Sequence, residues 1–407
     1  MFKFINKKCL IIFITLISFS LFAENFNVST PKDISAPNSG FASQIVTASS
    51  GRYVNAIWDG GNIKTARSDD FGQTWNVIVP DLGAGSDPQI ATDDSGRYVY
   101  AIWRDGPGDI QTARSDDFGQ TWNFTNNFSG GREPQIVTEN SGRYVYAIWR
   151  DNTPDIQTAR SENFGQTWNV IVPDLGTGTN PQIATDTSSG KYVFAIWDDG
   201  PNLQTARSED FGETWTLTEN LGTSPALPRA QIDNSGKFLF AIWQDGSNDI
   251  RIARSDDFGV TWNVTNNFGT GSSPQVDIDN SGKYIFAIWI DGSGDIQTAR
   301  SDDFGVNWNV TNNFDSGFSP QIAADNSGRY VFALWIDGPG DTQIARSEDF
   351  GQTWSVTVPN LGLGFDPQIA TDDIGRHVFL IWDNTNIFTS QGLRTFFPLT
   401  SVSISRN

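Results

Sequence analysis

The sequence predicts an all-β protein in which eight four-stranded antiparallel blades are arranged in a ring. Three observations predict this fold. A unit of 46 or 47 residues recurs along most of the 407-residue chain. Each unit contains four short runs rich in β-branched and aromatic residues, separated by Gly, Asn, Asp and Pro. After residue 24, no segment has the 3.6-residue periodicity of an amphipathic helix.

The repeat is clearest in the segment Pro-Gln-Ile-Ala-Thr-Asp, which begins at Pro88. The same proline recurs in six further units: Pro134, Pro181, Pro228, Pro274, Pro320 and Pro367. An earlier copy at residues 43–47 lacks the proline. A fixed period of this length is typical of repeat architectures, in which each unit is one supersecondary element.

The four runs of a unit follow one another in a constant order. Examples are Gln-Ile-Ala-Thr (89–92), Tyr-Val-Tyr-Ala-Ile-Trp (98–103), Ile-Gln-Thr-Ala-Arg (110–114) and Trp-Asn-Val-Thr (262–265). Asp-Ser-Gly-Arg or Asn-Ser-Gly-Lys separates the first two runs, and its glycine can take the positive φ of a tight hairpin. Four antiparallel strands per unit, repeated radially, predict the blades of a β-propeller.

The count of runs predicts eight blades. First, second and third runs occur eight times each, but a fourth run follows only seven of them. The missing run lies at the other end of the chain, because residues 26–29 resemble the fourth run at 75–77. We therefore expect the N-terminal strand to complete the C-terminal blade and close the ring. The propeller domain is expected at residues 24–391, and a C-terminal tail at 392–407.

Residues 1–23 are predicted to be a cleaved signal peptide. Lys3, Lys7 and Lys8 precede an apolar run, and Ala23 stands just before the polar Glu24. The alternative is a membrane anchor, but the apolar run is shorter than the roughly 20 residues of a bilayer span. No later stretch is apolar enough to cross a membrane. The sequence thus predicts a secreted or periplasmic protein, and we expect a monomer.

The composition excludes several kinds of site. One Cys and one His cannot build a zinc site, an iron–sulfur cluster, a disulfide framework or a Cys–His catalytic pair. A Ser–His–Asp triad would depend on His377 alone. The net charge of −20 argues against nucleic acid as a partner, because phosphate binding requires a basic surface.

Seven units carry the motif Ser-x-Asp-x-Gly-x-Thr-Trp between the third and fourth runs, with a few substitutions. The clearest copy comprises Ser115, Asp117, Gly119, Thr121 and Trp122. In a hairpin, the Asp carboxylate can accept backbone N–H groups, the Gly can be left-handed and the Trp ring can cover the turn. We expect these residues to be structural. The Arg before each motif is expected to pair with a carboxylate of its own blade.

This motif, at this place in the unit, resembles the Asp-box (BNR) repeat of sialidase-like and many non-enzymatic propellers. The resemblance covers about residues 26–391 and implies the fold, but little about function, because the box is mostly structural in that family. Sialidase-like catalysis, as the family implies it, needs three Arg, a Tyr nucleophile paired with Glu, and an Asp acid. All eight Tyr of this chain occupy second-run repeat positions, and the family's catalytic enzymes have six blades. We therefore expect a non-catalytic member and name no catalytic residue.

Departures from the repeat cluster in the second and third units. Arg104 and Arg150 follow the second-run Trp, where other copies have Asp, Gln or Ile, and Arg132 and Glu133 stand in the intervening loop. These residues are expected on the face opposite the Ser-x-Asp turns. Three guanidiniums there can hold an anionic ligand by forked hydrogen bonds. The alternative is local charge balance on an acidic surface. Arg229, which replaces a first-run Gln, is interpreted as drift.

The same face repeats the pattern Trp-x-Asp-Gly-x-x-Asp, which includes Asp105 and Asp151. These carboxylates can form turns on a soluble surface, line repeated polar pockets for sugars, or supply oxygen ligands to Ca²⁺. The spacing is not that of an EF-hand. We expect no metal and no cofactor, with a low-affinity Ca²⁺ site as the alternative.

The favoured interpretation is an exported, non-catalytic propeller that binds glycans or another extracellular ligand through repeated loops on one face. Near-identical loops suit weak multivalent binding. Two alternatives stay open: a sialidase-like exo-glycosidase, and an envelope scaffold that binds other proteins.

Overall fold

A computed structural model describes residues 22–35, 39–171, 173–218, 220–222, 226–358 and 360–398. Every regular helix or strand element in these residues is a β-strand, so the all-β prediction is confirmed. None of the described segments forms a helix long and apolar enough to cross a membrane.

The described strands form eight antiparallel blades; seven have four strands, and in blade 8 two N-terminal strands pair with different halves of the third strand. Two strands precede the first blade: β1 (Phe22–Val28) and β2 (Lys32–Asp33). Blade 1 comprises β3 (Phe41–Thr47), β4 (Val54–Asp59), β5 (Ile63–Ser68) and β6 (Asn76–Val77). Blade 2 comprises β7 (Gly85–Thr92), β8 (Val99–Asp105), β9 (Ile110–Ser115) and β10 (Asn123–Phe128). Blade 3 comprises β11 (Gly131–Thr138), β12 (Val145–Asp151), β13 (Ile156–Ser161) and β14 (Asn169–Ile171). Blade 4 comprises β15 (Thr179–Thr185), β16 (Val193–Asp198), β17 (Leu203–Ser208) and β18 (Thr216–Leu217).

Blades 5, 6 and 7 share two long strands, each of which ends one blade and begins the next. Blade 5 comprises β19 (Ala226–Ile232), β20 (Leu239–Gln244), β21 (Asp249–Ser255) and the first part of β22 (Asn263–Ile278). Blade 6 comprises the rest of β22, β23 (Ile285–Asp291), β24 (Asp295–Ser301) and the first part of β25 (Asn309–Ala324). Blade 7 comprises the rest of β25, β26 (Val331–Asp337), β27 (Thr342–Ser347) and β28 (Ser355–Val358).

Blade 8 is built from both ends of the described chain. Its inner three strands are β29 (Phe365–Thr371), β30 (His377–Asn384) and β31 (Asn386–Pro398). Strand β1 pairs antiparallel with the far half of β31, from Phe22 opposite Pro398 to Val28 opposite Gly392. Strand β2 pairs with the near half of β31. The N-terminal strand therefore completes the C-terminal blade, as predicted.

Two strands cross the domain boundaries that we expected. We expected the repeat to end at residue 391 and a tail to follow at 392–407. Strand β31 instead continues to Pro398, because its far half is the pairing partner of β1. At the other end, β1 begins at Phe22, inside the expected signal peptide. Residues 1–21 and 399–407 lie outside the described residues.

The first strand of each blade lies innermost around a central channel and packs against the first strands of the neighbouring blades. Strand β29 of blade 8 packs in the same way against β3 of blade 1. The antiparallel order places the loops between second and third strands on one face, which we call the upper face. The hairpins between first and second strands and the Ser-x-Asp turns lie on the opposite, lower face.

A series of backbone hydrogen bonds passes between equivalent hairpin residues of adjacent blades on the lower face. In N–H to C=O order it comprises Ser49 to Asp94, Asp94 to Asn140, Asn140 to Thr187, Asn234 to Asn280, Asn280 to Asn326, Asn326 to Asp373 and Asp373 to Ser49. The last of these bonds joins blade 8 to blade 1, with an N···O distance of 3.1 Å. The first and last blades are thus linked by the same contact as the other neighbours in the series.

The hydrophobic core lies between the blades rather than in one central mass. At the interface of blades 2 and 3, Ile136 and Trp149 of blade 3 pack against Tyr100 and Ile102 of blade 2. The Trp near the end of each second strand is 3% exposed or less in all eight blades: Trp58, Trp103, Trp149, Trp197, Trp243, Trp289, Trp335 and Trp382. These residues are therefore core residues, and burial of such large apolar surfaces dominates the stability of each interface.

Candidate functional site: the upper mouth of the channel

A cavity of about 480 Å³ opens at the upper mouth of the channel across blades 2 to 5. We call it the mouth cavity. Its polar lining comprises Asp87, Gln89, Arg104, Arg132, Glu133, Gln135, Asn180, Gln182 and Arg229. The structure thus brings together three of the residues singled out in the sequence, Arg104, Arg132 and Glu133.

The rim of the mouth cavity is formed by β-bulges at the start of the first strands. In blade 3, the register between β11 and β12 shifts between Arg132 and Gln135. One residue of each bulge takes a positive φ between 43° and 56°: Ala42, Asp87, Glu133, Asn180, Leu227, Ser273, Ser319 and Asp366. Four of these line the cavity. A bulge can re-aim a side chain of its strand, and bulges are common next to active sites.

Arg104 and Arg132 are exposed, and both line the mouth cavity. Neither side chain makes a hydrogen bond or ion pair with another described residue, although the chain carries 47 acidic residues. The guanidinium of Arg104 lies over its own loop, where a Cβ on Gly108 would be 3.3 Å from Nη2. Two unpaired guanidiniums in one cavity provide ten N–H donors for an anion.

Glu133 is held between blades rather than free in the cavity. Its Oε2 accepts the backbone N–H of Asn180 at 2.7 Å, and its Oε1 lies 3.8 Å from Nη1 of Arg150. Arg150 sits opposite Arg132 in the β11–β12 pairing and is not among the lining residues. Arg150 therefore pairs with Glu133 and lies outside the cavity, although we expected it beside Arg104 and Arg132.

The side chains of Asp105 and Asp151 accept hydrogen bonds within their own loops, and neither residue lines the mouth cavity. Oδ1 of Asp105 accepts the backbone N–H groups of Gly108 and Asp109 at 2.9 and 2.8 Å. Oδ1 of Asp151 similarly accepts the N–H of Thr153 and Asp155. Burial opposes ionisation of Asp151, but the hydrogen bonds outweigh it and lower its pKa.

Arg229 is the cavity residue that sequence reasoning missed. It occupies the first-strand position that is Gln in the other seven units. Its Nε donates to Oε1 of Gln275 at 3.2 Å, and its Nη1 donates to the carbonyl oxygen of Pro228 at 3.0 Å. Burial lowers its pKa below the ordinary value for a guanidinium. The substitution is visible in the sequence, but only the ring geometry places it in one cavity with Arg104.

Below the mouth, a second cavity of about 500 Å³ lies within the channel. We call it the channel chamber. Its one carboxyl group belongs to Asp277, at a position that is Ala or Val in six other units. Oδ2 of Asp277 accepts the backbone N–H of Ala324 in the next blade at 2.7 Å. Burial raises the pKa of Asp277 to about 7.

Several solved structures are similar to this chain in fold. The BP39L lectin from Burkholderia pseudomallei is 14% identical, with 79% of this chain and 99% of that chain covered and a TM-score of 0.57. A prolyl endopeptidase is 10% identical, with 85% of this chain and 54% of that chain covered and a TM-score of 0.57. A YCF48 structure bound to D1 peptide is 15% identical, with coverage of 89% and 96% and a TM-score of 0.48.

The protein is a β-propeller. At these identities, the likeness shows the fold alone. No protein-family model matches the chain, and no curated protein matches it.

The Ser-x-Asp turns of the propeller lie far from the mouth, on its lower face. In blade 2, Oδ1 of Asp117 accepts from Oγ of Ser115 and from the N–H of Thr121, both at 2.8 Å. Gly119 and the preceding Phe118 both have positive φ. The Phe118 ring stacks on Tyr53 of blade 1 with centroids 4.2 Å apart, so this turn also joins two blades.

Each Arg that precedes a Ser-x-Asp turn pairs with a nearby carboxylate, as expected. The pairs within one blade are Arg67–Asp69, Arg114–Asp116, Arg160–Glu162, Arg207–Glu209, Arg254–Asp256, Arg300–Asp302 and Arg346–Glu348. Arg160 also lies 3.4 Å from Glu213 of the next blade. These arginines therefore form ion pairs on the lower face and do not line the mouth cavity.

Two further features bear on chemistry at the propeller mouth. In the part of the chain that the structure describes, no group of three or more Asp, Glu, His or Cys could hold a metal ion. No tyrosine lines the mouth cavity. Tyr100 and Tyr146 are buried, their hydroxyl groups donate to the carbonyl oxygens of Gly142 and Gly190, and burial raises the pKa of both.

Proposed function

We propose that this protein is an exported, non-catalytic propeller of the Asp-box type that binds an acidic glycan in the mouth cavity. The observation that carries the proposal is that Arg104 and Arg132 face one cavity without a partner among the described residues. A carboxylate or sulfate of the ligand would supply the missing acceptors. Charge-assisted hydrogen bonds of this kind are about twice as strong as neutral ones.

The lining of the cavity supports a ligand that also carries hydroxyl groups. Besides the arginines, Gln89, Gln135, Asn180 and Gln182 line the cavity. An amide offers both donors and an acceptor, which is the pattern that sugar hydroxyls require. A volume of about 480 Å³ lies in the usual range for small-ligand pockets. The likeness to the BP39L lectin is consistent with a binding module.

Retention near the cell envelope and export are part of the proposal and rest on the leader-like residues 1–23. Lys3, Lys7 and Lys8, followed by an apolar run, support secretion or delivery to the periplasm. N-terminal sequencing of the protein from the exported fraction tests this step. A mature chain that still begins at Met1 contradicts it.

A sialidase-like exo-glycosidase is the second candidate, because three arginines line the mouth cavity and could hold a substrate carboxylate. Against it, no tyrosine lines the cavity, and Glu133 is already bonded to Asn180 and close to Arg150. A binding role therefore accounts for the cavity better than hydrolysis does.

The test is a glycan array followed by calorimetry on the mature chain, with the double variant Arg104→Ala/Arg132→Ala. We expect acidic glycans to be bound, with affinity reduced at least about tenfold in the double variant, since each lost charged hydrogen bond is worth roughly 1.5–3 kcal/mol. Arg376→Ala, an exposed arginine on the lower face, is the matched control.

Three outcomes contradict the proposal. Equal binding by the double variant and the natural chain shows that the ligand sits elsewhere. Turnover of a fluorogenic sialoside that is lost in the double variant favours the hydrolase. Capture of a protein from the exported fraction, together with no binding to any acidic glycan, favours the scaffold.

A further inference from the structure

In each of the eight inter-blade interfaces, one apolar residue belongs to the same core cluster as the buried second-strand tryptophan. The type of this residue differs between the interfaces. Four interfaces have leucine there: Leu82, Leu175, Leu221 and Leu361. One has Ile34. Three have phenylalanine: Phe128, Phe268 and Phe314. Because leucine satisfies the same packing position in four interfaces, the fold alone does not require an aromatic ring there.

Each of these phenylalanines forms an aromatic triad with two tryptophans of the next blade. It stacks on the second-strand tryptophan, with centroids 4.5 Å apart for Phe128–Trp149, 4.7 Å for Phe268–Trp289 and 4.6 Å for Phe314–Trp335. It meets the tryptophan of the Ser-x-Asp turn edge-on, at 5.9 Å for Phe128–Trp168, 5.5 Å for Phe268–Trp308 and 5.9 Å for Phe314–Trp354. Nearly identical geometry is thus built three times.

The triad of blades 6 and 7 borders an open cavity of about 640 Å³, larger than the mouth cavity. We call it the groove. Its lining residues include Phe314, Trp335 and Trp354. Phe314 and Trp335 are buried, at 7% and 3% exposed, whereas Trp354 is partly exposed, so the aromatic surface that a ligand can reach from the groove is that of Trp354.

Polar side chains surround the aromatic wall of the groove. Nε2 of Gln343 donates to Oδ2 of Asp337 at 2.7 Å, which fixes both side chains. Asn312, Asp315 and Ser316 also line the groove, and their side chains make no hydrogen bond with another described residue. These three groups are available to a ligand that carries hydroxyl groups.

The groove contains no lysine or arginine among its lining residues and has two carboxylates, Asp315 and Asp337. It therefore disfavours the acidic ligands that suit the mouth cavity. A neutral pyranose has an apolar C–H face, which can lie on an aromatic surface, and an edge of hydroxyl groups, which can bond to amides and carboxylates. The groove offers both kinds of partner.

We infer that the three phenylalanine interfaces are binding sites for neutral pyranose rings, separate from the mouth cavity and independent of the function proposed for it. The other two sites share the Asn-Asn-Phe segment of the groove, at residues 126–128 and 266–268. Three sites on one rigid ring allow a branched or repetitive glycan to be held at several points, which raises its avidity.

The test exchanges phenylalanine for the leucine that occupies the same place in four other interfaces. The triple variant Phe128→Leu/Phe268→Leu/Phe314→Leu is therefore expected to fold, which circular dichroism checks. Saturation-transfer NMR and tryptophan fluorescence are recorded with methyl glucoside, methyl galactoside and methyl mannoside as probes. We expect saturable binding of at least one probe by the natural chain, weakened at least about tenfold in the triple variant.

Two controls separate this inference from the proposed function. Arg104→Ala/Arg132→Ala is expected to leave binding of neutral pyranosides unchanged, and the triple leucine variant is expected to leave binding of acidic glycans at the mouth unchanged. Asn312→Ala, which keeps the aromatic triad, is expected to weaken binding at the groove of blades 6 and 7. Equal binding by the triple variant, or no binding of any of the three methyl glycosides at millimolar concentration, overturns the inference.

Discussion

The guanidinium of Arg394 lies over the ring of Tyr330, with Cζ 3.2 Å from the ring centroid. In most other blades, the aromatic residue before the second strand is covered by a phenylalanine from the Ser-x-Asp turn of the next blade, as Tyr284 is by Phe350. Blade 8 has no such turn. The extension of β31 past residue 391 brings Arg394 to that place, so a cation replaces the missing ring.

Arg394→Ala is expected to destabilise the protein by about 2 kcal/mol, because the mutation removes a desolvated cation–π contact and the hydrogen bond from Nη2 to the carbonyl oxygen of Ile374. Urea unfolding measures the change. Arg376→Ala, an exposed residue of the same face, is the control and is expected to stay within about 0.5 kcal/mol of the natural chain. Equal effects of the two variants would show that Arg394 is not a link between blades 7 and 8.

Shortening the chain tests the observed boundary of blade 8. A chain ended after Pro398 keeps every pair between β1 and β31, and is expected to unfold at the same temperature as the natural chain. A chain ended after Gln391 loses the partner of β1 and leaves an unpaired strand edge, which promotes aggregation. We expect a lower unfolding temperature and association in light scattering. Identical behaviour of the two shortened chains contradicts the assignment of residues 392–398 to the blade.

The Ser-x-Asp turns predict a contrast between two substitutions at one position. Asp117→Ala removes the acceptor for Ser115 and Thr121 and is expected to cost about 2 kcal/mol. Asp117→Asn is expected to cost much less, because Asn163 already serves in blade 3, where its Nδ2 donates to Thr167 at 2.8 Å. Thermal unfolding of both variants checks the order, and a reversed order contradicts it.

Asp277 predicts a pH dependence of stability. An aspartate in the unfolded chain ionises near pH 4, whereas burial keeps this one protonated in the folded state up to about pH 7. The folded state therefore holds a proton that the unfolded chain has released, and the stability from this group is lost as the pH rises from about 4 to about 7.

Asp277→Asn keeps the acceptor for Ala324 but cannot ionise. Relative to the natural chain, this variant is expected to match at pH 4 and to gain up to about 1.4 kcal/mol for each pH unit until about pH 7. Unfolding in urea across this range measures the difference. Asp383→Asn provides a comparison, because burial raises the pKa of Asp383 only to about 6. A difference that does not change with pH refutes the assignment.

Arg229→Gln introduces the residue of the other seven units and is expected to leave the fold intact. If the mouth cavity holds an acidic glycan, the affinity should fall about tenfold, and the binding should depend less on salt because one charge is lost. Calorimetry at two ionic strengths measures both effects. Unchanged affinity and salt dependence would remove Arg229 from the site.

The fold was largely predictable from the sequence because the same four-strand pattern recurs in every unit of the repeat. A substitution in one blade does not obscure the strand pattern, because the other seven blades show the same pattern. The exception was the seam, where residues 26–29 were aligned with 75–77. The structure instead places Ser29 against Gln391, two residues away from that alignment. No repeat exists there to set the register, which is determined by the β1–β31 pairing.

The candidate site was only partly predictable. Arg104, Arg132 and Glu133 stood out as departures from the repeat, and the structure brings them to one cavity. Arg229 lies two units further along the chain, so its proximity depends on the curvature of the ring, which no single unit encodes. The role of Asp105 was also ambiguous, because a loop carboxylate has the same sequence pattern whether it binds backbone N–H groups or a ligand.

Strand β1 and its partner β31 are separated by more than 350 residues, yet they share seven consecutive pairs. During synthesis, β1 emerges before β31 and can pair with it only after blades 1 to 7 have been made. Local hairpins can form early, but the joining of the two ends is the step with the greatest loop-closure cost. Pairing of β1 with β31 is thus expected late in folding, and a chain that stops before β31 leaves β1 without its partner.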